Sequence, residues 1–288
     1  MHHSRPRPRH SRELSKSTMT DIHAAAQTGY ANEALAYAQG RPDYPDGVLQ
    51  WLQNALGIGA GQAVVDLGAG TGKFTKLLLK AGADVIAVEP VDAMREQLAA
   101  SVTGAKIFSG SGAAIPLENA SVDAVICAQS FHWFATEAAL REIHRVLKPG
   151  GRLGLVWNVR DDSCDWAAAI TAIITPYETN VPRFYLGGWR QAFSGEYFSP
   201  LELTVCAHRH VGKPQQVILE RFRSVSFIAS LPDVEKEKVV ARLQALIASH
   251  PALRNKETIA FPYRTEAYKC VRLDPPRAPA GTSPEPLR

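Results

Sequence analysis

Three glycines alternate with small residues just after a short apolar run. Gly68, Gly70 and Gly72 lie within residues 66–72, between a stretch typical of a strand and one typical of a helix. Glycines in this pattern let the backbone turn sharply and approach a ligand closely. Glu89 ends the next apolar run, and an acidic residue about 20 residues beyond such glycines can accept hydrogen bonds from both ribose hydroxyls of a nucleoside. The spacing therefore predicts a nucleoside-cofactor site.

Two strands and one helix have to hold this loop. Residues 63–65 are apolar and rich in β-branched side chains, which indicates a strand buried on both faces. A helix is predicted over 73–81 and ends at Gly82. A second buried strand is predicted over Asp84–Val88. The alternative is an ordinary tight turn between strand and helix, but such a turn needs fewer glycines.

The glycine register departs from the dinucleotide fingerprint G-x-G-x-x-G/A, because Lys73 stands where the third small residue is needed. The chain instead reads D-x-G-x-G-x-G over residues 66–72. This run resembles the first motif of the class I S-adenosylmethionine (SAM)-dependent methyltransferases. The resemblance implies an α/β fold with a doubly wound, Rossmann-like sheet of seven mostly parallel strands, and SAM as cofactor. It also implies that the cofactor contacts Asp66, Gly68, Ala69, Gly70, Gly72 and Glu89.

A segment before the first strand, Y-A-x-G-R-P-x-Y-P, resembles one in methyltransferases similar to trans-aconitate methyltransferase. There the segment is a lid over the cofactor. By this resemblance, Arg41 binds the cofactor, and Tyr37 and Tyr44 lie near the substrate or the methionine end of SAM. Core packing is the alternative for each tyrosine. Arg41 is difficult to bury without a partner, and a carboxylate would be suitable.

Two further runs, A-Q-S-F-H-W-F at 128–134 and W-N-V-R-D at 157–161, resemble the same group. They imply that Gln129 faces the cofactor and that Trp157 and Arg160 lie near His132 and contact the substrate. His132 is the candidate catalytic residue, as a general base or a hydrogen-bond donor to the substrate. An ordered packing residue is the alternative for it.

The run at 110–117 corresponds to the adenine-binding stretch of the family. By that resemblance Ser111 and the backbone of Gly112 and Ala113 hold the base. The chain departs from the family here, with Ser111 for Asp, Gly112 for Ala and Ala113 for Glu.

The strand–helix alternation predicts a doubly wound α/β core at 60–158. The resemblance implies a methyltransferase domain over 21–273, with a C-terminal insertion and final strands at 159–273. Polar tails at 1–20 and 274–288 are expected to be disordered, and an N-terminal helix at 21–40 to belong to the lid. Residues 182–198, after the fifth strand, are rich in aromatic side chains. They are predicted either to cover the substrate pocket or to form a small satellite core.

The composition limits the classes of partner expected for this chain. The chain has 288 residues and a net charge of +4, and much of this net charge lies in the first sixteen positions, where five basic residues accompany one acidic residue. This pattern favours neither nucleic acid nor a membrane surface as a partner. Four scattered cysteines indicate neither a metal site nor a disulfide scaffold, and free thiols are typical of a reducing cytoplasm. The expected partner is a small-molecule methyl acceptor, the expected location is the cytoplasm, and the oligomeric state is not predicted.

The predicted function is methyl transfer from SAM to a small molecule, a carboxylate or a hydroxyl, by direct in-line displacement. The cofactor carries its own leaving group, so the protein has to align the reactants and exclude water. A carboxylate acceptor needs no general base, whereas a hydroxyl or amine would use His132. Two alternatives remain: a non-catalytic regulatory protein that binds SAM or a nucleoside, and an NAD(P)-dependent oxidoreductase.

Overall fold

The computed structural model describes residues 42–178 and 182–274. Tyr37, Arg41, the helix expected at 21–40 and nearly all of both tails lie outside the described residues. The strands are β1 Ala63–Leu67, β2 Asp84–Val88, β3 Lys106–Phe108, β4 Val122–Ala128, β5 Leu147–Arg160, β6 Glu202–Gly212 and β7 Ile259–Val271. The α-helices are α1 Asp46–Asn54, α2 Lys73–Lys80, α3 Asp92–Ser101, α4 Glu137–Val146, α5 Asp165–Ile174, α6 Arg221–Arg223, α7 Ser226–Ala229 and α8 Asp233–Ser249.

The seven strands form one sheet in the order β3-β2-β1-β4-β5-β7-β6. Strands β1 to β5 pair in parallel, and β7 runs antiparallel to both of its neighbours. Helical crossovers join β1 to β2, β2 to β3 and β4 to β5, and such crossovers lead to parallel pairing. The prediction of a seven-stranded, mostly parallel, doubly wound sheet is confirmed.

Helices cover both faces of the central strands, which explains the continuous apolar runs of β1 and β4. Val64 and Val65 point to opposite faces, and each side chain is fully buried. One face packs against α1 and α2, the other against α4 and the aromatic residues that follow α5. A third apolar cluster joins α5 and α8 in the C-terminal part. The sheet therefore holds its carboxyl edge rigidly, and ligands of such sheets bind at that edge.

The aromatic stretch at 182–198 extends the main core. Trp189 is 3% exposed and packs against Trp157 and Phe131. Phe193 packs on Phe131 at a ring-centroid distance of 5.7 Å. The prediction of a separate satellite core is wrong, because these rings fill the space beneath β5 and β7. The alternative, a cover over the substrate pocket, stays a prediction.

Two elements of the chain are irregular. The helical segment after β6 is interrupted: a π-helical segment, Gln215–Glu220, precedes α6 and α7. The Ser224 hydroxyl donates to the Arg221 carbonyl at 2.8 Å, a local bond that competes with helix continuation. Strand β5 contains Pro149, Gly150 and Gly151, and its pairing with β4 shifts register between Val122 and Ala124.

Candidate active site

A cavity opens at the carboxyl edge of β1, β2 and β4. Its wall contains Asp66–Thr71 of the glycine loop, Lys73 and Phe74 of α2, Glu89–Val91, Met94, Gly110–Gly112, Ala128–Ser130, Trp133, Phe134, Asn158, Arg221, Pro42 and Tyr44. Most of the side chains that the sequence assigned to the cofactor therefore lie in one cavity. Ala113 and Gly72 are not part of its wall.

The three glycines of the loop serve different purposes, although all have positive φ. A Cβ at Gly68 would lie 2.6 Å from the Cβ of Ser130, and one at Gly72 would lie 2.6 Å from Cγ2 of Val102. A Cβ at Gly70 would meet nothing within 4 Å. Gly68 and Gly72 are thus required by close packing, while the backbone of Gly70 borders open space where a ligand can approach.

Glu89 is held at the end of β2 by the backbone. Its Oε2 accepts a hydrogen bond from the amide of Gly70, and its Oε1 accepts one from the amide of Val91, each at 2.9 Å. A carboxylate oxygen can accept more than one hydrogen bond. The two oxygens are therefore fixed acceptors at the cavity wall, suited to a pair of hydroxyls.

Asp66 is completely buried at the end of β1. Its Oδ2 accepts a hydrogen bond from the Thr75 hydroxyl at 2.6 Å, while Oδ1 has no hydrogen-bond partner among the described residues. Burial raises the pKa of Asp66 to about 7; the Thr75 bond opposes this shift, and the negative charge of Glu89 adds to it. A buried carboxylate oxygen without a partner suits a cationic group entering the cavity.

The loop at 110–112 follows β3, which pairs with β2, and the Glu89 backbone amide donates to the Phe108 carbonyl at 3.1 Å. Ser111 and Ala114 exchange backbone hydrogen bonds of 3.1 Å, which closes a tight turn. A Cβ at Gly112 would lie only 2.3 Å from Cδ2 of Phe134. The glycine that replaces the family's usual alanine therefore allows the Phe134 ring to form this wall.

Gln129 lies at the carboxyl end of β4 with φ of 60°, a left-handed conformation that is uncommon for a residue other than glycine. Its backbone N–H donates to the Val156 carbonyl at 2.8 Å. The hydroxyl of the next residue, Ser130, donates to the Leu67 carbonyl at 2.7 Å. These bonds to β5 and β1 hold the strained turn and keep Gln129 in the cavity wall.

His132 and Trp157 form a pair beside the cavity, and neither side chain is part of its wall. The Trp157 indole Nε1 donates to Nδ1 of His132 at 3.1 Å. An indole N–H can only donate, so Nδ1 is an acceptor and neutral His132 carries its proton on Nε2. This arrangement supports His132 as a donor and leaves Nδ1 unavailable as a base.

The assignment of Trp157 to the substrate is corrected by its position. Its side chain is 1% exposed and stacks on Phe184 at a centroid distance of 4.4 Å. Arg160 also lies away from the cavity wall, and its Nε donates to the Thr171 hydroxyl at 3.1 Å. Of the described residues assigned to the substrate, Tyr44 alone lies in the wall, where its ring meets Phe74 edge-on.

The wall also contains polar residues to which the sequence analysis assigned no role, among them Lys73, Asn158 and Arg221. Lys73 forms an ion pair of 3.1 Å with Asp43. The Asn158 amide donates to the Asp43 carbonyl at 3.0 Å, and its Oδ1 accepts from the Thr265 hydroxyl at 2.6 Å. Arg221 is 8% exposed. No local pattern marks Arg221, because its burial depends on how the segment after β6 packs against the rest of the chain.

Comparison with known proteins decides the family. The methyltransferase-domain family matches residues 65–155. A methyltransferase-like protein of Schizosaccharomyces pombe is 37% identical over 240 residues, which is 83% of this chain and 93% of that protein. The chain belongs to the methyltransferase family. A Mycobacterium bovis methyltransferase is also 37% identical, over 82% of this chain and 91% of its own length.

The fold of this methyltransferase is shared with solved structures. A protein of Anaeromyxobacter dehalogenans matches with a TM-score of 0.60 at 20% identity, covering 81% of this chain and 96% of that one. The cofactor is S-adenosylmethionine, and the cavity fits it: Oδ1 of Asp66 needs a cationic partner and Gly70 borders open space. Family membership also decides against the NAD(P)-dependent oxidoreductase.

The described residues contain neither a helix that could cross a membrane nor a cluster that could hold a metal ion. None of the helices within 42–178 and 182–274 is both long enough and apolar enough to cross a membrane. Over the same residues, no group of three or more His, Cys, Asp or Glu side chains is arranged to hold a metal ion.

Proposed function

We propose that this methyltransferase acts on a small-molecule acceptor with an anionic or hydroxyl oxygen, and that a carboxylate is favoured. One observation carries the proposal: the described cavity wall contains the cationic side chains of Lys73 and Arg221 but no histidine. A carboxylate is already ionised at neutral pH and needs no base, whereas a hydroxyl has to lose its proton. Cationic groups attract the ionised acceptor and hold it in place.

The cofactor supplies an electrophilic methyl group and its own leaving group. The chain has to orient the cofactor, and we assign Glu89 to the two ribose hydroxyls and Asp66 to the amino group of its methionine part. We assign Ser111 and the Gly112 backbone to the adenine, and Gln129 and the glycine loop to the remainder of the cofactor. These groups are held by backbone hydrogen bonds and strand ends, so little reorganisation is required on binding.

The acceptor has to approach from the side of Tyr44, Asn158 and Arg221. All three lie in the wall. Asn158 belongs to β5 and Arg221 follows β6, so both lie on the other side of β1 from β2, the strand that precedes Glu89, and Arg221 is 8% exposed. A guanidinium in such surroundings is a strong partner for a carboxylate.

The first experiment is calorimetric titration with SAM, followed by a search for the acceptor. Saturable binding of SAM and of S-adenosylhomocysteine, combined with formation of the latter when small carboxylic acids are added, would support the proposal. Binding of both without turnover on any carboxylic acid or alcohol would instead favour the non-catalytic regulatory protein. Absence of SAM binding would contradict both functions.

A further inference from the structure

Three buried polar atoms on one face of β6 and β7 have no hydrogen-bond partner within the described chain: the Tyr263 hydroxyl, Nε2 of His208 and Nδ1 of His210. Strand pairing places His208 opposite Tyr263, and their rings are 5.9 Å apart. His210 lies two residues further along the same face. Tyr263 is only 4% exposed. Such atoms usually find partners because leaving them unpaired when buried costs free energy.

The charges around these atoms are predominantly positive. Burial, followed by the charges of Arg221, Lys73 and His208, lowers the pKa of His210 to about 4, against the opposing effect of Asp43. Burial also lowers the pKa of His208, although the Asp43 backbone and charge act in the other direction. Both histidines are therefore mainly neutral near pH 7. Each neutral imidazole can donate one hydrogen bond and accept another, and it brings no charge to this face.

This polar face lies next to the cavity, although none of its three residues is part of the described cavity wall. Arg221 and Lys73 lie in that wall and are close enough to His210 to influence its titration. Asn158, also in the wall, accepts a hydrogen bond from Thr265, which lies two residues from Tyr263 on the same face of β7. The carboxyl ends of β5 and β6 thus place the unpaired atoms beside the acceptor end of the cavity.

We propose that His208, His210 and Tyr263, with Arg221, form a subsite for a second anionic oxygen group of the acceptor, a group that is not methylated. This inference rests on the proposed function. A carboxylate or phosphate would accept from the Tyr263 hydroxyl and from imidazole N–H groups, and Arg221 would balance its charge. The subsite would select acceptors with two anionic groups over those with one.

The test compares probes that differ in one anionic group. Protein saturated with S-adenosylhomocysteine is titrated with dicarboxylic acids of four to seven carbons, with their monocarboxylic analogues, and with glycerol 3-phosphate. We expect at least one dianionic probe to bind about tenfold or more tightly than its monoanionic counterpart. Tighter binding of glycerol 3-phosphate than of every diacid would identify a phosphate as the ligand group. If no dianionic probe exceeds its counterpart, the subsite does not exist.

Tyr263→Phe removes only the hydroxyl, and we expect it to weaken the favoured probe about fivefold or more while the monoanionic analogue is unaffected. Tyr197→Phe is the matched control, because Tyr197 bonds to Arg141, away from the cavity. Without ligand, Tyr263→Phe should unfold at the same temperature as wild type or higher, since it removes an unpaired polar atom. A lower unfolding temperature with unchanged probe binding would indicate a purely structural role and overturn the inference.

The two proposals fail separately. If wild-type protein does not bind SAM or S-adenosylhomocysteine, the proposed function fails. If the wild type binds cofactor and transfers methyl groups, but Tyr263→Phe binds the dianionic probes with the affinity of the wild type, only the proposed subsite is contradicted. His210→Gln provides an independent second variant, which should weaken the same probe.

Discussion

Asp66 and Glu89 are both carboxylates in the cavity wall, but their surroundings differ. Both oxygens of Glu89 accept backbone hydrogen bonds, whereas only one oxygen of Asp66 has a partner among the described residues. A carboxylate that accepts several hydrogen bonds is a stable anion, while a completely buried one with a single bond resists ionisation. The two acids are therefore expected to respond differently to pH and to substitution.

The raised pKa of Asp66 predicts that cofactor binding depends on pH. In the free protein Asp66 is protonated below about pH 7. If its anion binds the cofactor's cationic amino group, binding below that pH requires release of a proton. SAM affinity should therefore rise from pH 6 to pH 8, and Asp66→Asn should bind more weakly and with a flatter dependence. Calorimetry in buffers of different ionisation enthalpy measures the released proton, and an affinity that falls with pH would refute the assignment.

Glu89→Gln should weaken SAM binding by about 1–3 kcal/mol, the usual effect of removing a charged hydrogen-bond partner. Glutamine keeps the size of the side chain but exchanges one acceptor oxygen for a donor. Glu96→Gln is the control, since Glu96 is exposed on α3. Equal SAM affinity of Glu89→Gln and wild type by calorimetry would remove Glu89 from the cofactor site.

At the scale of elements, the glycine loop and the turn after β4 are held from both sides. Gly68 packs against Ser130, whose hydroxyl bonds to the end of β1, and Gly72 packs against the residue that follows α3. Each turn thereby fixes the other. The backbone can then border a cavity without collapsing into it.

Alanine substitutions at Gly72 and Gly70 should differ in their effects on unfolding free energy and on SAM binding. Gly72→Ala adds a methyl group 2.6 Å from Val102 at a φ of +86°, and we expect a loss of about 2–4 kcal/mol in unfolding free energy. Gly70→Ala has the conformational cost of φ +58° but open space, so the loss should be near 1 kcal/mol. Urea denaturation measures both values. Calorimetry should show that Gly70→Ala weakens SAM binding, and a larger stability loss at Gly70 than at Gly72 would contradict this division.

Trp157→Phe tests the contact between β5 and the turn that contains His132. The variant keeps an aromatic ring in the core but loses the only N–H that bonds to Nδ1 in this pair. Nitrogen-15 NMR of the wild type should show neutral His132 with its proton on Nε2. The variant should show a mixture of both tautomers, and an unchanged spectrum would mean that Trp157 does not set the tautomer.

At the scale of the whole molecule, the C-terminal part completes a site that the N-terminal half begins. Arg221, from the segment after β6, lies in the same wall as the glycine loop. Anything that binds only the folded chain raises its stability by mass action. At about one hundred times its dissociation constant, SAM should therefore stabilise the protein by about 2.7 kcal/mol, and a thermal scan measures this as a rise of several degrees.

The lowered pKa of His210 predicts a pH-dependent contribution to stability. A histidine that titrates near pH 4 in the folded protein and near 6.5 when unfolded makes unfolding take up protons between these values. Its contribution is present above about pH 6.5 and is lost as the pH falls towards 4. The unfolding free energy of wild type minus that of His210→Asn should therefore be larger at pH 7 than at pH 5, as measured in urea. The comparison cancels the contribution of Asp66, which has the opposite sign.

Local sequence determined the sheet and the cofactor. The apolar runs, the D-x-G-x-G-x-G loop and the acid that ends β2 are all short-range features, and hydrophobic periodicity and glycine conformation act within a few residues. These features predicted β1, β2 and a nucleoside-cofactor site with Asp66, Gly70 and Glu89 at one edge, and the resemblance to methyltransferase motifs implied the seven-stranded sheet and SAM. It did not anticipate the extension of the aromatic stretch into the main core.

The tertiary structure alone decided the acceptor side. Trp157 lies beneath His132 because β7 pairs with β5 and the rings after α5 fill the space behind them. Arg221, His210 and Tyr263 lie beside residues of the first hundred positions only because β6 and β7 complete the sheet at its far edge. Such register depends on pairing between distant segments, and no local pattern encodes it. The sequence thus determined the cofactor, while long-range pairing decided which side chains surround the end of the cavity that we propose for the methyl acceptor.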